Sequence, residues 1–592
     1  MEVLCVLVAE RVTKFIQNRV IVINYRYNGN MLGHSLDYIK KHRSLLWLII
    51  PAFFLQMLVM MPSGTNFCLG ENCGIHFWGV HSHDSMWHLE IANVAFRTFP
   101  FQVPSYSGGV LSGYNILMDV ILYGFSLVGI PSIVTLFKIV PVVWFFFYTL
   151  LTISFARKIR DTKQFVLLSL FFVYFAGHLG YFLQIYHDGS IFKGSQSFSL
   201  QSMTTLLNTQ FALTLPMILA QLAILKSKGR SLIHIILMGV LTFFVFGLKF
   251  YGGVISLLIL GFYLFDWIID KKKLRNVIKP AIIFILLTLA SIILFYNPFQ
   301  ASQTGSIFIF SPFATVHSVI EAPNMVYLRD MVNARYFLYE HGWSPRLLYI
   351  ELLSTFLYVF FNFGIRFIGI IYIFIKVLVR RTRFEMYLLG LVFSSIALSV
   401  LLIQKGDWWN TVQFSYYGIF ISNFMIVILL DDMIRTFGKK SLVFVISILI
   451  LAFPATLQTV YAFSKSDTLY ISRQELQAMK YLQNKPDGVV FNSFLASEGY
   501  PFLDYRTSGY VGAFSGKQVY FGHMGPLNII GVHFKDRWDA IKNNECEVFS
   551  SVTYIYYVKG HDDTILKACE ANLFQKFEQG FENKEVIIYQ KK

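Results

Sequence analysis

The apolar residues of this chain fall into long blocks, near residues 44–62, 132–156, 165–185, 207–226, 231–248, 251–269, 279–296, 363–380, 384–403, 412–430 and 441–463. Blocks of this length cross a hydrocarbon layer of about 30 Å. Inside such a layer no water satisfies the peptide groups, so each block has to be helical. Only 14% of the 592 residues are charged and 55% are hydrophobic, with a mean hydropathy of +0.55. An ordinary soluble domain carries about 25% charged residues. The composition therefore excludes a soluble globular enzyme and any disordered or fibrous class. The chain reads as a polytopic α-helical membrane protein with about eleven transmembrane helices.

The net charge of +16 would suggest nucleic acid in a soluble protein. Here the cations fall in short loops between apolar blocks and no nucleic-acid motif accompanies them, so no nucleic-acid partner is expected. Lys40, Lys41 and Arg43 precede the first block and place residues 1–43 in the cytoplasm. Residues 1–30 lack a clean apolar core and a small-residue cleavage site, so no cleaved signal peptide is read there. One further block, 110–130, decides the topology. If it lies as a re-entrant or interfacial helix, five loops carrying 19 basic residues, from Arg157 to Lys440, all face inward. The opposite loops from 187 to 411 then hold six: Lys193, Lys249, Arg329, Arg335, Arg346 and Lys405. A full crossing inverts this bias against the positive-inside rule.

The transmembrane region is then 44–463, with outer loops at 63–131 and 297–362, the second containing an apolar stretch at 347–361 read as interfacial. Residues 464–592 form a small extracytoplasmic α/β domain. Helix-like SRQELQAMKYLQN and TILKACEANLFQKF alternate there with strand-like GVVF, QVYF, VTYIYYV and EVIIY. Cys68 and Cys73 share the first outer loop, Cys546 and Cys569 share the outer domain, and Cys5 is alone inside. Two disulfides and four free thiols both remain open on spacing alone.

The densest group of reactive side chains is His81-Ser82-His83-Asp84-Ser85-Met86-Trp87-His88-Leu89-Glu90. With a helix starting near Ser85, Asp84 is its N-cap and His88 shares its face. Three roles stay open. Asp84 caps the helix and the histidines line a wet loop; or His81, His83, Asp84 and His88 ligate Zn²⁺ or Mn²⁺; or Asp84 is a general base at the membrane surface, with His83 and His88 positioning substrate. A Pro/Gly turn follows, with Pro100, Pro104, Gly108 and Gly109, and then the interfacial helix with a lone Asp119. Transporters keep their polar groups near the midplane instead.

This arrangement resembles the GT-C superfamily of multi-spanning glycosyltransferases, which includes protein O-mannosyltransferases, aminoarabinose transferases and oligosaccharyltransferases. The resemblance rests on the Asp in HSHDSMWH after the first span, juxtamembrane helices at about 85–98 and 112–129, basic cytoplasmic loops and the outer C-terminal domain. It implies a sugar donor on a polyprenyl phosphate, a glycan, lipid or protein acceptor, and Asp84 as the catalytic residue of an inverting transfer. This chain has His83-Asp84 where some members carry an Arg-Asp or Asp-Glu pair, so the resemblance fixes no acceptor class. It also leaves a divalent metal ion open, since oligosaccharyl-transferring members need one and many monosugar-transferring members do not.

A lipid-phosphate donor requires cations at the outer ends of spans. Lys249 with Tyr251 in GLKFYGG, and Arg366 in FNFGIRFIGI, meet that requirement. An Arg within a span otherwise snorkels or pairs, here with Glu351. Trp408 and Trp409 beside Lys405 and Asp407 read as interfacial anchors or a sugar platform. Residues 297–345, with Glu321, Arg329, Asp330 and Arg335, offer a lid, and Asp504, Arg506 and His523 carry no assigned chemistry. The rival readings are a lipid or polysaccharide transporter, with Arg366 and Asp266 as its midplane charges, and a non-catalytic scaffold of the same architecture. A prokaryotic plasma membrane and the cell envelope are the expected setting.

Overall fold

Blocks that must close their own backbone hydrogen bonds do so as helices, and helices dominate the chain. The structure is a computed structural model describing residues 31–192, 199–227, 231–271, 275–296, 308–404, 408–465, 469–492, 505–561 and 563–592. Among the described residues eight helical segments are long and apolar enough to cross a membrane: Arg43–Met60, Ser132–Ile159, Thr209–Lys226, Phe250–Asp270, Ile278–Tyr296, Pro345–Phe363, Arg383–Leu401 and Trp409–Lys465. Shorter apolar helices run over Leu117–Leu127, Lys163–Phe175 and Leu232–Leu248. Lys405, Gly406, Asp407, Asp504, Cys5, Lys193 and residues 297–307 lie outside the described residues.

Two blocks differ from their sequence outlines. The block at 165–185 stops at Phe175 and resumes as Tyr181–Asp188. The stretch at 347–361 is part of a 19-residue helix, Pro345–Phe363, that passes through Gly364 into Arg366–Arg380. Both halves track Gln413–Phe437 in the same direction. Tyr358 meets Ser415, Arg366 meets Asn423 and Lys376 meets Asp432, at sequence offsets of 57, 57 and 56. The span read at 363–380 is thus one half of a longer, broken rod. The break occurs at Gly364, whose φ is +58° and where a Cβ would stand 2.9 Å from the Gly177 carbonyl oxygen. Only glycine fits both conditions.

The basic loops converge on one end of the bundle. Arg160 binds Asp431 and Asp432, Lys376 binds Asp432 at 2.9 Å, Arg435 binds Asp431 at 2.7 Å and Arg383 binds Asp270 at 2.9 Å. The long first loop and the C-terminal segment occupy the other end. In that loop β1 (Thr65–Leu69) and β2 (Asn72–Phe77) form a hairpin, and the facing pair Cys68–Cys73 is a disulfide. β3 (Phe308–Phe310) pairs antiparallel with β4 (Leu402–Gln404). β5 (Leu469–Ser472) adds to β2, so the C-terminal segment completes a sheet begun in the first loop.

The remaining strands are β6 (Val489–Asn492), β7 (Gln518–Val519), β8 (Tyr554–Val558), β9 (Phe577–Glu582) and β10 (Val586–Lys591), in the order β7-β6-β8-β10-β9. Four of these match the strands expected from sequence; the polar edge strand β9 and the short β5 carry too little alternation to be read. The helix Arg473–Gln483 starts where SRQE predicts it, with the Ser472 hydroxyl accepting from the Glu475 N–H at 3.0 Å. Cys546 and Cys569 are also a disulfide. Trp87, Ile91 and Val103 of the first loop share a core with Phe491, Phe521 and Leu527.

Candidate active site

A tight turn over Gly79–Ser82 delivers the chain to the helix Asp84–Val94. His83 takes the N-cap position without a capping side-chain bond, and Asp84 is the first helical residue, one place later than its spacing suggests. Its carboxylate therefore caps nothing. It is 64% exposed and stands 3.5 Å from His83 Nδ1. One turn on, the His88 ring points to the short apolar helix Leu117–Leu127, where Nδ1 lies 2.9 Å from Oδ1 of the fully buried Asp119. The lone acid of that apolar helix thus fixes the orientation of His88.

A second clamp brings in the transmembrane bundle. Just before that short apolar helix, the Asn115 side chain donates to Gln210 Oε1 at 2.7 Å and to the Leu248 carbonyl at 3.0 Å. Gln210 donates back to the Asn115 carbonyl at 3.0 Å. This pair holds the first loop against the end of Leu232–Leu248 and so sets Lys249 within electrostatic reach of Asp84. The Lys249 ammonium is 6.0 Å from the Tyr251 ring centre, and the Tyr251 hydroxyl donates to Gln404 Oε1 at 2.5 Å. Tyr114 is within electrostatic reach of Asp84, Asp119 and Tyr251. Asp84, His83, His88, Lys249 and Tyr251, drawn from separate parts of the chain, are brought to one place. Asn115, Gln210 and Tyr114 complete it, and nothing in their local sequence singles them out.

The four-residue metal set is not assembled. His81 turns inward, its Nδ1 2.8 Å from the Ser63 hydroxyl and its ring against Phe137, and burial pushes its pKa down to about 4. His88 is committed to Asp119. Among the described residues no three His, Cys, Asp or Glu side chains converge where a cation could be held. With His81 held by Ser63 and His88 by Asp119, these four residues do not form a donor set for a divalent ion.

His523, without assigned chemistry in sequence, reaches this site from the C-terminal segment. Its ring packs edge-on against His83 at 4.6 Å and Trp87 at 5.7 Å, and its backbone holds a φ of +48°. A non-glycine residue keeps that conformation only where its surroundings impose it. Nδ1 accepts from the Gly509 N–H at 3.2 Å, which leaves the proton on Nε2. Burial, then the neighbouring His83 and His88, hold His523 well below the usual histidine range.

Beside it Glu90 is wholly buried, 4.0 Å from His523 Nδ1. Gly509 makes room for it, since a Cβ there would lie 2.0 Å from Oε2. Burial pushes the Glu90 carboxyl well above its ordinary value of 4.5, only partly offset by Ser105. The native state therefore binds this proton more tightly than the unfolded chain does. The contribution of Glu90 to stability is full below about pH 4.5 and falls as pH rises, by about 1.4 kcal/mol per pH unit until the raised pKa is passed. Glu90→Gln removes that dependence. Its melting temperature should exceed that of wild type by a margin that widens from pH 5 to pH 8; a margin constant with pH would mean that the folded carboxyl is not destabilised as an anion.

Arg366, expected from the sequence near a lipid phosphate, stands elsewhere. It is wholly buried, and its five N–H groups face six protein acceptors. Nε donates to Asn423 Oδ1 at 2.5 Å, Nη1 to the Gly177 and Phe363 carbonyls and Gln201 Oε1, and Nη2 to the Ala176 carbonyl and the Ser202 hydroxyl. Glu351 is not its partner. Glu351 binds Arg335 Nε at 3.0 Å and His317 Nε2 at 2.9 Å, and Arg335 also binds Glu321 at 2.9 Å. Asp266, the other charge a transporter would need at midplane, accepts from the Tyr387 hydroxyl at 2.5 Å and pairs with Arg383 at 3.6 Å.

No protein-family model and no curated protein matches the sequence. Solved structures do match the fold. Archaeal oligosaccharyltransferase AglB from Archaeoglobus fulgidus, in complex with an inhibitory peptide and a dolichol-phosphate, aligns at 14% identity over 88% of this chain and 70% of that one, with a TM-score of 0.50. The Archaeoglobus fulgidus oligosaccharyltransferase complex with Zn and sulfate aligns at 14% identity over 86% and 68%, with a TM-score of 0.50. The form tethered to an acceptor peptide containing the NVT sequon aligns at 13% identity over 94% and 75%, again at 0.50. The chain thus shares its overall fold with these archaeal oligosaccharyltransferases.

Proposed function

We propose that this protein is a membrane glycosyltransferase that moves a sugar from a polyprenyl-phosphate-linked donor to an acceptor. The single observation that carries this reading is an exposed carboxylate, Asp84, within electrostatic reach of the Lys249 cation at the end of the bundle, on a fold of which one solved example holds a dolichol-phosphate. In the proposed step Asp84 takes the proton from the acceptor hydroxyl or amine. The freed electron pair attacks the anomeric carbon from the face opposite the phosphate, and the bond from that carbon to the phosphate oxygen breaks with inversion. The leaving oxygen keeps the bonding pair and stays an anion, which Lys249 stabilises, so no strong general acid is needed. His83 and His88 position the acceptor and donor, His88 through its hold on Asp119.

The membrane assignment that goes with this is eleven spans, a cytoplasmic N-terminus, and the first loop with the C-terminal segment outside, in a prokaryotic plasma membrane. The bundle end gathering Arg160, Lys376, Arg383 and Arg435 is then the inner one.

Native mass spectrometry of protein extracted gently from its own membrane tests the donor class. A polyprenyl phosphate, with or without sugar, is expected on wild type and lost from Lys249→Ala. Bulk phospholipid alone, held equally by both proteins, would overturn the proposal.

A further inference from the structure

A cavity of about 710 Å³ lies between the helix Asp84–Val94, the turn after the interfacial helix and the C-terminal helices Arg473–Gln483 and Tyr510–Ser515. That volume is in the range of ligand sites. Its floor is apolar, with Leu89, Ala92, Ile130, Ile133 and Phe514. Arg97 and Lys480 stand in its wall. Asn93 stitches the walls together, donating to the Ala513 carbonyl at 2.7 Å and accepting from the Ser132 hydroxyl at 2.8 Å. The cavity is therefore built, not left over between loosely packed parts.

Its mouth is greasy. Leu127 of the lining is 69% exposed, and Val128, next to it in sequence, is 74% exposed. Large apolar side chains left uncovered at the end of an interfacial helix are in place to sit among lipid tails. Positive charge dominates just above. Lys480 donates to Gln483 at 2.9 Å, both at the surface. Arg97 is 3.6 Å from Asp487, but that carboxylate is 85% exposed and is shared with Lys517 at 3.2 Å. An exposed, shared partner neutralises little of a cation's field.

We propose that this groove holds one anionic phospholipid of the surrounding leaflet, its phosphate between Arg97 and Lys480 and an acyl chain along the apolar floor. The argument is charge complementarity over a continuous apolar path from mouth to floor, and it does not depend on the glycosyltransferase reading. The lipid would fasten the C-terminal segment to the membrane beside the active-site helix.

The test uses the full chain, stripped of lipid in detergent and titrated with dioleoyl phosphatidylglycerol or dioleoyl phosphatidylcholine, read by native mass spectrometry. Wild type should retain one phosphatidylglycerol with a preference of about fivefold or more over phosphatidylcholine. The Arg97→Gln/Lys480→Gln double variant, with an unchanged melting temperature, should lose that preference. Ser126→Phe, at a half-buried position of the lining, narrows the groove without touching its charges and should release both lipids. Equal retention of the two lipids by wild type, or an undiminished preference in the double variant, would overturn the proposal.

Discussion

Asp84→Asn is expected to lower the rate of sugar transfer by about 10²–10⁴-fold, the usual contribution of a positioned proton acceptor. The variant keeps the size and shape of the side chain. Asp84 is 64% exposed and touches His83 at 3.5 Å, so the fold has little to lose. The helix start does not depend on it either, since no side chain caps Asp84–Val94. The loss should therefore appear in turnover, with melting temperature and the amount of co-purifying donor lipid unchanged. Rates measured at equal donor occupancy separate the two effects. Full turnover in a folded, donor-loaded Asp84→Asn protein would remove Asp84 as the base while leaving the donor class standing.

Arg366→Ala is expected to act on folding, at a cost of about 1–3 kcal/mol for each buried acceptor left without a donor. Two helices end at this level, one at Phe175 and one at Phe363, and helix ends leave carbonyls without intrahelical donors. In the core of a membrane protein water cannot supply those donors, and Arg366 does. Arg366→Lys should recover little, because an ammonium offers three donors from one point where the guanidinium fork serves six acceptors. Thermal melts in detergent read the effect directly. If Arg366→Ala melted with wild type but shed a bound polyprenyl phosphate, the guanidinium would belong to the lipid and not to the fold.

Much of the candidate site was legible because its chemistry is concentrated. Asp84 and His88 lie four residues apart on one helix, and Lys249 follows a span of unbroken apolar sequence, so hydropathy alone puts it at a bundle end. Lys249 and Arg366 look alike by those rules, each a cation near a span end. They differ in what surrounds them. Lys249 sits at the site end within reach of Asp84, whereas Arg366 is ringed by carbonyls from breaks at 176–177 and 363. Those breaks are invisible to hydropathy, which averages over the glycine that causes one of them. His523 and Glu90 escape for a related reason. Neither lies on a periodic pattern, and the left-handed backbone at His523 and the Gly509 cradle that bring them together lie far from Glu90 in the chain.

The sequence by itself determined that this chain is a bundle of membrane helices with an acidic first loop and a C-terminal α/β segment. Hydrocarbon allows its backbone few other states, and the hydrophobic period of the last strands is short and local. That Arg366 is spent on protein acceptors, that β5 completes the first loop's sheet, and that a C-terminal histidine backs the helix Asp84–Val94, only the tertiary structure decided. Each depends on contacts between residues far apart in sequence, and those follow from packing the finished helices together, not from any local preference.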